Sequence, residues 1–358
     1  MDYQRRQARA RDRFSSLAVD AWLVSHLPNI RYLTGFSGSN ALLLLTSSRA
    51  WLFTDGRYRE QAANEVQAAG VVIPPRGDLW KAAAARAARA PTIGFEAEHV
   101  TVAQRARFLH HWPGKAHRLR PTQNGIEALR SIKDPEEIAA IRRAVELASS
   151  VFAATAAAAR PGMLETELAG RLEFALRQAG GEGLAFDTIV ASGPRSALVH
   201  GRPAPYPLPR RGFVVLDYGV ILGGYVSDMT RTVHMGKPDR RARDLYARVL
   251  EAQQAALAAL RPGVACAAVD QAARRPLQRA GLGKFFPHST GHGVGLEIHE
   301  APRLAATATE LLAAGQVVTI EPGVYVPGWG GIRIEDVALI TENGAEVLTP
   351  TPKAMLTL

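Results

Sequence analysis

Residues 212–233, which read GFVVLDYGVILGGYVSDMTRTV, are the part of the sequence that decides the fold. Two runs rich in Val, Ile, Leu, Tyr and Thr flank Gly223 and Gly224. Glycine accepts the positive φ angles of a two-residue turn, so the pattern predicts a β-hairpin. In that hairpin Leu222 pairs with Tyr225, and the pairing of every residue farther from the turn follows.

The hairpin register brings two carboxylates together. Counting outward from the turn, Asp217 faces Thr230, and Gly219 faces Asp228. Side chains alternate along a strand, so Asp217 and Asp228 are diagonal neighbours on one face, roughly 7 to 8 Å apart by Cα. Two acids in an otherwise apolar strand pair need a partner, and a divalent metal ion meets that need. This stretch alone leaves open the alternative of two ordinary solvated acids.

The composition is that of a soluble globular protein of about two domains. Of the 358 residues, 47% are hydrophobic and 21% are charged. The start lacks the apolar core of a secretion signal, and no run of about 18 apolar residues follows, so we expect a cytoplasmic protein without membrane contact. The single cysteine, Cys266, excludes a disulfide or a thiolate zinc site within one chain. The net charge of +10 comes from dispersed arginines, so we expect no nucleic-acid partner.

The first part of the chain alternates strand and helix patterns. We expect strands over 21–24, 41–45, 50–53, 71–73 and 92–95 and a helix over 57–69. The segment 32–40, YLTGFSGSN, is a Gly/Ser loop without the lysine of a phosphate-binding loop, which argues against a nucleotide site. These elements predict a smaller α/β domain over 1–122.

The second part, 123–358, opens with a long helical pattern over 126–159 and carries a weak internal duplication. Asp134 and Pro135 are typical of a helix start within that pattern. RPGM at 160–163 and RPGV at 261–264 each open a helix, 101 positions apart. After each helix come a strand that ends in an acid and then a second acid. The acids are Asp217 and Asp228 in the first half and Glu321 and Glu335 in the second. The order predicts two half-domains, related by approximate two-fold symmetry, that each contribute a carboxylate pair to one centre.

The segment 288–300, HSTGHGVGLEIHE, adds an imidazole to the four acids. Gly291 and Gly293 bracket His292 and let the backbone approach an ion closely. Four carboxylates and one imidazole are a suitable donor set for two metal ions. We assign ordinary core or surface positions to the histidines outside this context, which are His26, His99, His110, His111, His117 and His234.

Several of these segments resemble the proline-specific metallopeptidases of the pita-bread family, which includes prolidase, aminopeptidase P and, more distantly, methionine aminopeptidase and creatinase. They are 217–232 with DMTRT, 292–300, IEPG at 320–323 and GIRIED at 331–336. LRSIK at 129–133 and EIAAIR at 137–142 resemble the start of the catalytic domain, and YLTGFSG at 32–38 and TDGRY at 54–58 resemble the creatinase-like N-terminal domain. The resemblance implies an α+β chain: a creatinase-like α/β domain over 1–122, then a pita-bread catalytic domain over 123–358 with internal pseudo-two-fold duplication.

Carried over residue by residue, the resemblance implies the site. The implied metal ligands are Asp217, Asp228, His292, Glu321 and Glu335, which hold two divalent ions per subunit, with Asp228 and Glu335 bridging them. Glu321 is implied to accept the proton of the attacking water and to deliver it to the leaving nitrogen. The substrate contacts implied are His200, His299, which also helps to stabilise the tetrahedral intermediate, and Arg333, which orients the carboxylates together with Thr230.

The activity implied is hydrolysis of the bond between an N-terminal residue and proline. We expect a prolidase acting on Xaa-Pro dipeptides, because the chain is short. The alternatives are aminopeptidase P, which accepts longer peptides, and a non-catalytic binding protein on the same fold. Carboxylate-rich ligation suits manganese, with zinc or cobalt as alternatives. Relatives are commonly dimers, so the resemblance also implies a homodimer.

Overall fold

The computed structural model describes residues 1–75, 77–88, 90–112 and 118–358. The chain folds into two compact units, Met1–Arg130 and Ser131–Leu358. The boundary expected from the sequence, at residue 122, falls on the last residue of a strand of the first unit and stays a prediction. Among the described residues, none of the helices combines the length and apolar character that crossing a membrane requires.

The first unit is a mixed sheet with helices, as the alternating pattern predicts. Its strands are β1 (Ala21–Val24), β2 (Ala41–Thr46), β3 (Ala50–Thr54), β4 (Gly70–Val72), β5 (Ile93–Glu96) and β6 (Leu119–Thr122). They lie in the order β4-β3-β2-β1-β5-β6, with β1 antiparallel to β2 and parallel to β5. The helices are α1 (Tyr3–Asp12), α2 (Phe14–Leu17), α3 (Leu27–Thr34), α4 (Arg59–Glu65), α5 (Leu79–Ala87), α6 (Val102–His111) and α7 (Glu127–Arg130).

The helix expected over 57–69 is shorter than predicted. A 3-10 turn at Gly56–Tyr58 precedes α4, which ends at Glu65, because Val66 already has the extended angles φ −72° and ψ 121°. The chain then passes through Ala68 at φ 59° into β4. Since β4 pairs in parallel with β3, these residues are needed to return the chain to the sheet.

The second unit contains four helices and thirteen short strands within its described residues. The helices are α8 (Pro135–Ala158), α9 (Glu165–Gln178), α10 (Arg240–Ala259) and α11 (Cys266–Arg279). The strands are β7 (Gly183–Leu184), β8 (Ile189–Ser192), β9 (Gly212–Tyr218), β10 (Val220–Leu222), β11 (Tyr225–Val226), β12 (Met229–Met235), β13 (Gly291–Gly293), β14 (Glu300–Leu304), β15 (Val317–Ile320), β16 (Gly323–Val326), β17 (Gly330–Arg333), β18 (Asp336–Thr341) and β19 (Gly344–Val347). The sheets that form the site are β12-β9-β8 and β14-β13-β15-β18-β19.

The long helical pattern over 126–159 is divided between α7 and α8. The break between the two helices ends at Asp134, which caps the start of α8 with a capping box. The Asp134 side chain accepts a hydrogen bond from Glu137 N at 2.9 Å, and the Asp134 backbone N–H donates to the Glu137 carboxylate at 3.1 Å. Pro135 occupies the first turn, where its missing N–H is tolerated.

The hairpin has the predicted register. Leu222 pairs with Tyr225, and Asp217 pairs with Thr230. Gly223 and Gly224 both have positive φ, 60° and 77°. At Gly219 the two strands approach so closely that a Cβ atom would lie 2.0 Å from the carbonyl oxygen of Ser227, which explains the glycine there.

The internal duplication is confirmed by repeated backbone hydrogen bonds. Gly162 N donates to Leu208 O at 2.9 Å, and 101 positions later Gly263 N donates to Leu312 O at 2.8 Å. The helix that follows is α9 in the first half and α11 in the second, again 101 positions apart. Each half also has its own buried apolar cluster: α8 and α9 pack on β9 in one, and α10 and α11 pack on β15 in the other.

Candidate metal centre

The candidate ligands come from strands of both halves and line one cavity of about 700 Å³. Asp217 lies in β9 and His292 in β13. The other three lie at strand ends: Asp228 just before β12, Glu321 just after β15 and Glu335 just before β18. Asp217, Asp228 and Glu335 are buried. The duplicated fold therefore brings together all five residues that the sequence singles out.

The donor atoms of several candidate ligands lie close to one another. Nε2 of His292 lies 3.4 Å from Oε1 of Glu321 and 3.7 Å from Oδ2 of Asp228. One donor atom each of Asp228, His292 and Glu335 lies within 4.8 Å of the other two. Such a cluster has the ligand types and the spacing of a metal site.

The pKa values of the clustered acids are governed by burial and by repulsion between the carboxylates, which the charge of Arg333 only partly offsets. Burial raises the pKa of Asp228, Glu321 and Glu335, and the charges of neighbouring carboxylates raise each pKa further. The pKa of Glu335 rises to about 8. Carboxylates that face one another in a buried site cannot all be ionised unless a cation offsets their repulsion. The acid cluster is therefore suited to bind a divalent cation.

The imidazole of His292 is held in the form that a metal ligand requires. Burial lowers its pKa to about 4, so the ring is neutral near pH 7. Nδ1 lies 3.1 Å from the carbonyl oxygen of Gly293, which places the proton on Nδ1. The lone pair of Nε2 consequently points toward carboxylate oxygens, an arrangement that a cation between them makes favourable.

Asp217 supplies the most direct sign of a missing partner. Its Oδ1 is buried and has no hydrogen-bond donor among the described residues, while Oδ2 accepts from Nη2 of Arg333. A buried, unpartnered carboxylate oxygen is costly. The donor set and this orphaned atom together fit a divalent metal ion.

Arg333 and Thr230 hold the carboxylates in place. Besides its contact with Asp217, Arg333 donates from Nε to Oγ1 of Thr230 at 3.0 Å. The Thr230 hydroxyl in turn donates to Oε2 of Glu335 at 2.6 Å. Nη1 of Arg333 donates to Val199 O at 3.1 Å and to the Tyr325 hydroxyl at 2.7 Å. All three guanidinium nitrogens are thus engaged.

Three further histidines line the cavity. The sequence identified His200 and His299, and the ring of His299 lies 4.3 Å from that of His292. Burial lowers the pKa of His299, and the charge of His200 lowers it further. His288 was not predicted to belong to the site, although it begins the segment 288–300. Its Nε2 is 3.0 Å from the hydroxyl of Tyr325, a partner in a distant strand that the local motif does not indicate.

The cavity wall also includes two arginine side chains that the sequence analysis did not single out. Arg303, in β14, lines the cavity, and within the described part of the chain its guanidinium has no hydrogen bond or ion pair. Arg202 also lines it but pairs with Asp187 at 2.9 Å. The sequence does show a basic residue three positions after Glu300. Whether the side chain of Arg303 faces the cavity, however, depends on the fold of β14.

Of the histidines assigned to ordinary positions, those that the structure describes do not line this cavity. His26 and His99 stack on each other in the first unit, with ring centroids 3.6 Å apart. His234 packs on Phe213 in the second. His117 lies outside the described residues.

Comparisons with known proteins find matches to both parts of the chain. Residues 139–342 match metallopeptidase family M24, and residues 6–132 match the creatinase/prolidase N-terminal domain. An Xaa-Pro dipeptidase of Pyrococcus horikoshii is 34% identical over 342 residues, 95% of this chain and 95% of its own length.

Two solved structures extend the similarity to the fold. The Xaa-Pro dipeptidase from Bacillus anthracis superposes with a TM-score of 0.96 at 35% identity, over 100% of both chains. The X-Pro aminopeptidase from Thermotoga maritima superposes with a TM-score of 0.89 at 34% identity, over 96% of this chain and 99% of its own. The chain therefore belongs to metallopeptidase family M24, the pita-bread metallopeptidases, and carries a creatinase/prolidase N-terminal domain.

Proposed function

We propose that the chain hydrolyses the Xaa-Pro bond at the N-terminus of short peptides, with Xaa-Pro dipeptides as its main substrates. The observation that carries this proposal is the convergence of Asp228, His292 and Glu335 at the wall of a cavity large enough for a dipeptide. The dipeptidase from Bacillus anthracis, similar over the full length of the chain, supports this substrate class.

The proposed ligands are Asp217, Asp228, His292, Glu321 and Glu335, which would hold two divalent ions per subunit, Asp228 and Glu335 being shared. Four carboxylates and one imidazole suit manganese, and zinc or cobalt are alternatives. Ions held there supply Lewis acidity, which lowers the pKa of water toward neutrality and polarises a carbonyl.

Glu321 is the proposed proton carrier. Its side chain is 17% exposed, so it lines the cavity while most of it is shielded from solvent. In the proposal it accepts a proton from the attacking water and passes it to the leaving nitrogen. The nitrogen of an Xaa-Pro bond is a tertiary amide nitrogen without a hydrogen, so it must be protonated before it departs.

His200, His299 and Arg333 are proposed to act on substrate, the two histidines by direct contact and Arg333 from the same cavity wall. All three line the cavity. His200 and His299 lie beside the ligand cluster, where an imidazole N–H can donate to a carbonyl that gains negative charge. The donors of Arg333 are engaged with protein atoms, which favours for this residue the role of orienting Asp217 and Thr230.

Arg303 supports a dipeptide as substrate. The proline of an Xaa-Pro dipeptide carries a free carboxylate, and a guanidinium without a protein partner is suited to bind it. In a longer peptide this carboxylate is replaced by a neutral amide. We therefore propose that Arg303 favours dipeptides over longer peptides.

The second candidate is an Xaa-Pro aminopeptidase. The aminopeptidase from Thermotoga maritima is similar to this chain in both sequence and fold, at nearly the same identity as the dipeptidase. The two candidates share every proposed ligand and differ only in what lies beyond proline.

We also propose that the enzyme is a cytoplasmic homodimer that binds neither nucleic acid nor membranes. The buried, unpaired thiol of Cys266 is compatible with a reducing compartment. Light scattering on the purified protein tests the dimer.

The proposed function is tested by hydrolysis of Ala-Pro and, as a control, Ala-Ala by protein treated with EDTA and reloaded with Mn²⁺. We expect turnover of Ala-Pro that depends on the metal, and little turnover of Ala-Ala. The ligand assignment is tested separately in His292→Ala, for which elemental analysis should find metal lost from one position. An unchanged metal content would contradict the assignment.

A further inference from the structure

The segment between β8 and β9 contributes three residues to the cavity wall without regular secondary structure to hold them. These residues are Val199, His200 and Arg202. Residues 198–206 belong to no helix or strand, and no candidate metal ligand lies among them. The position of His200 therefore depends on contacts that the segment receives from elsewhere in the fold.

Glu165, the first residue of α9, binds the chain on both sides of His200. Its side chain is fully buried. Oε1 accepts hydrogen bonds from the backbone N–H and the hydroxyl of Ser192, at 2.8 and 2.9 Å. Oε2 accepts from the backbone N–H of Ala204 at 3.2 Å and from Nε of Arg195 at 3.1 Å. One carboxylate thus joins the end of β8 to the far end of the segment.

Arg195 spans the same segment from within. While its Nε binds Glu165, its Nη2 donates to the backbone carbonyl of Arg202 at 2.9 Å. His200 lies between these two arginines in sequence. Charge-assisted bonds of this kind are roughly twice as strong as neutral ones, and a buried carboxylate keeps their geometry fixed.

We propose that Glu165 and Arg195 are positioning residues for His200: they clamp residues 198–204 against the cavity without contacting substrate or metal. The inference rests on the proposed function, because the role of His200 is measured with Xaa-Pro substrates. A group that binds a reacting carbonyl must be held close to its productive position, and a supporting clamp supplies that constraint.

The second half of the unit contains the same arrangement. Asp270 on α11 is fully buried and accepts from the backbone N–H and the hydroxyl of Thr290, at 3.1 and 2.8 Å, and from Nε of Arg274 at 2.6 Å. Arg274 donates in turn to the carbonyl oxygen of His288. The position equivalent to Glu165 in the second half is residue 266, and Asp270 lies one helical turn farther along α11. The two buried acids therefore do not occupy equivalent positions of the repeat. In each half a buried acid, a hydroxyl and an arginine hold a cavity histidine.

The test uses the metal-loaded full chain and the variant Arg195→Gln. The Arg195 side chain is 28% exposed, and Glu165 keeps its bonds from Ser192 and Ala204, so the fold should tolerate the change. We expect kcat/KM for Ala-Pro to fall about tenfold, because His200 is displaced. We also expect unchanged metal content by elemental analysis and faster amide hydrogen exchange in residues 198–204.

A double variant that also lacks the His200 imidazole distinguishes a positioning role of Arg195 from a general effect on stability. In a His200→Ala background, Arg195→Gln should have no further effect on kcat/KM, since it acts through that imidazole. The matched control is Arg248→Gln on α10, which removes a guanidinium paired with Glu251 at 3.0 Å and should leave kcat/KM unchanged.

An unchanged kcat/KM in Arg195→Gln overturns the clamp, as does a loss that keeps its full size in the His200→Ala background. Should the glutamine variant fail to fold, Arg195→Lys replaces it, because lysine keeps the charge beside Glu165 but its single nitrogen cannot also hold the Arg202 carbonyl. An inactive wild-type protein would contradict the proposed function instead, and hydrogen exchange in residues 198–204 would then decide the clamp.

Discussion

The hydroxyl of Thr230 donates a 2.6 Å hydrogen bond to Oε2 of Glu335, and the two residues are 105 positions apart. Thr230 belongs to the first half of the duplicated unit and Glu335 to the second, so this bond joins the halves at the candidate metal centre. Arg333 donates to the same hydroxyl at 3.0 Å, which leaves the Thr230 hydrogen to point at Glu335. The orientation of that carboxylate is therefore fixed by a neutral side chain.

Replacing Thr230 by valine should weaken metal binding without unfolding the protein. The change keeps the shape of the side chain and removes the bond to Glu335, and outer partners of this kind are worth about tenfold to a hundredfold in metal affinity. Titration calorimetry with Mn²⁺ measures the loss. Thr188→Val is the control, because the Thr188 hydroxyl is buried without a hydrogen-bond partner in the described chain. Equal affinities in the two variants would contradict the role given to Thr230.

The metal-free protein should lose stability as the pH rises from 6.5 to 8. Folding raises the pKa of Glu335 from 4.5 to about 8, so between these values the folded state holds a proton that the unfolded chain has released. Stability then falls with rising pH, by about 1.4 kcal/mol per pH unit for each such proton. His288 and His292, whose pKa falls from 6.5 to about 4, act in the opposite direction but only below pH 6.5.

Urea unfolding of EDTA-treated protein across that window checks this prediction. Bound Mn²⁺ displaces the protons, so its stabilising effect should be larger at the upper end of the window than at the lower end. Stability that is constant or rises across the window in the metal-free protein would show that the carboxylates do not repel one another as inferred.

Glu321→Gln should abolish most of the turnover and leave the fold intact. A glutamine has the same shape but cannot carry the proton, and a general base contributes about a hundredfold or more to the rate. The assay compares kcat with the metal content of the same preparation, and Glu342→Gln, a change on the exposed surface, is the control. Near-normal turnover in a folded, metal-loaded Glu321→Gln protein would refute the proton-carrier assignment.

Arg303→Gln should raise the KM for Ala-Pro about tenfold and leave the KM for Ala-Pro amide unchanged, because only the free acid presents a carboxylate to the guanidinium. Arg202→Gln should have a smaller effect, since Arg202 is paired with Asp187. If Arg303→Gln changes the KM for Ala-Pro and the KM for Ala-Pro amide alike, Arg303 does not bind the free carboxylate.

The hairpin and the acids at strand ends could be predicted because their signals are local. Gly223 and Gly224 fix the turn, alternation fixes the register, and the register places Asp217 opposite Thr230. The duplication could be predicted because its acids recur in the same order in the two halves. Both signals can be seen in the sequence without knowing which distant residues contact one another.

The elements that the sequence did not predict depend on distant partners. Helix α1 buries Arg6 and Gln7, which donate to the carbonyl oxygens of Tyr32 and Leu33 at 3.1 and 3.0 Å, so its inner face has no apolar periodicity to detect. The role of Glu165 depends on a segment more than 25 residues away. Long-range hydrogen bonds of this kind leave no pattern in a single sequence.

The most direct test of the central claim compares Ala-Pro with the tripeptide Ala-Pro-Ala, using Mn²⁺-loaded protein and an EDTA-treated control. A metal-dependent dipeptidase of the proposed specificity hydrolyses Ala-Pro with a clearly higher kcat/KM than the tripeptide, and the activity disappears with the metal. Efficient release of alanine from Ala-Pro-Ala would contradict the dipeptide assignment and favour the aminopeptidase. Failure to cleave either peptide with metal bound would contradict the proposed function itself.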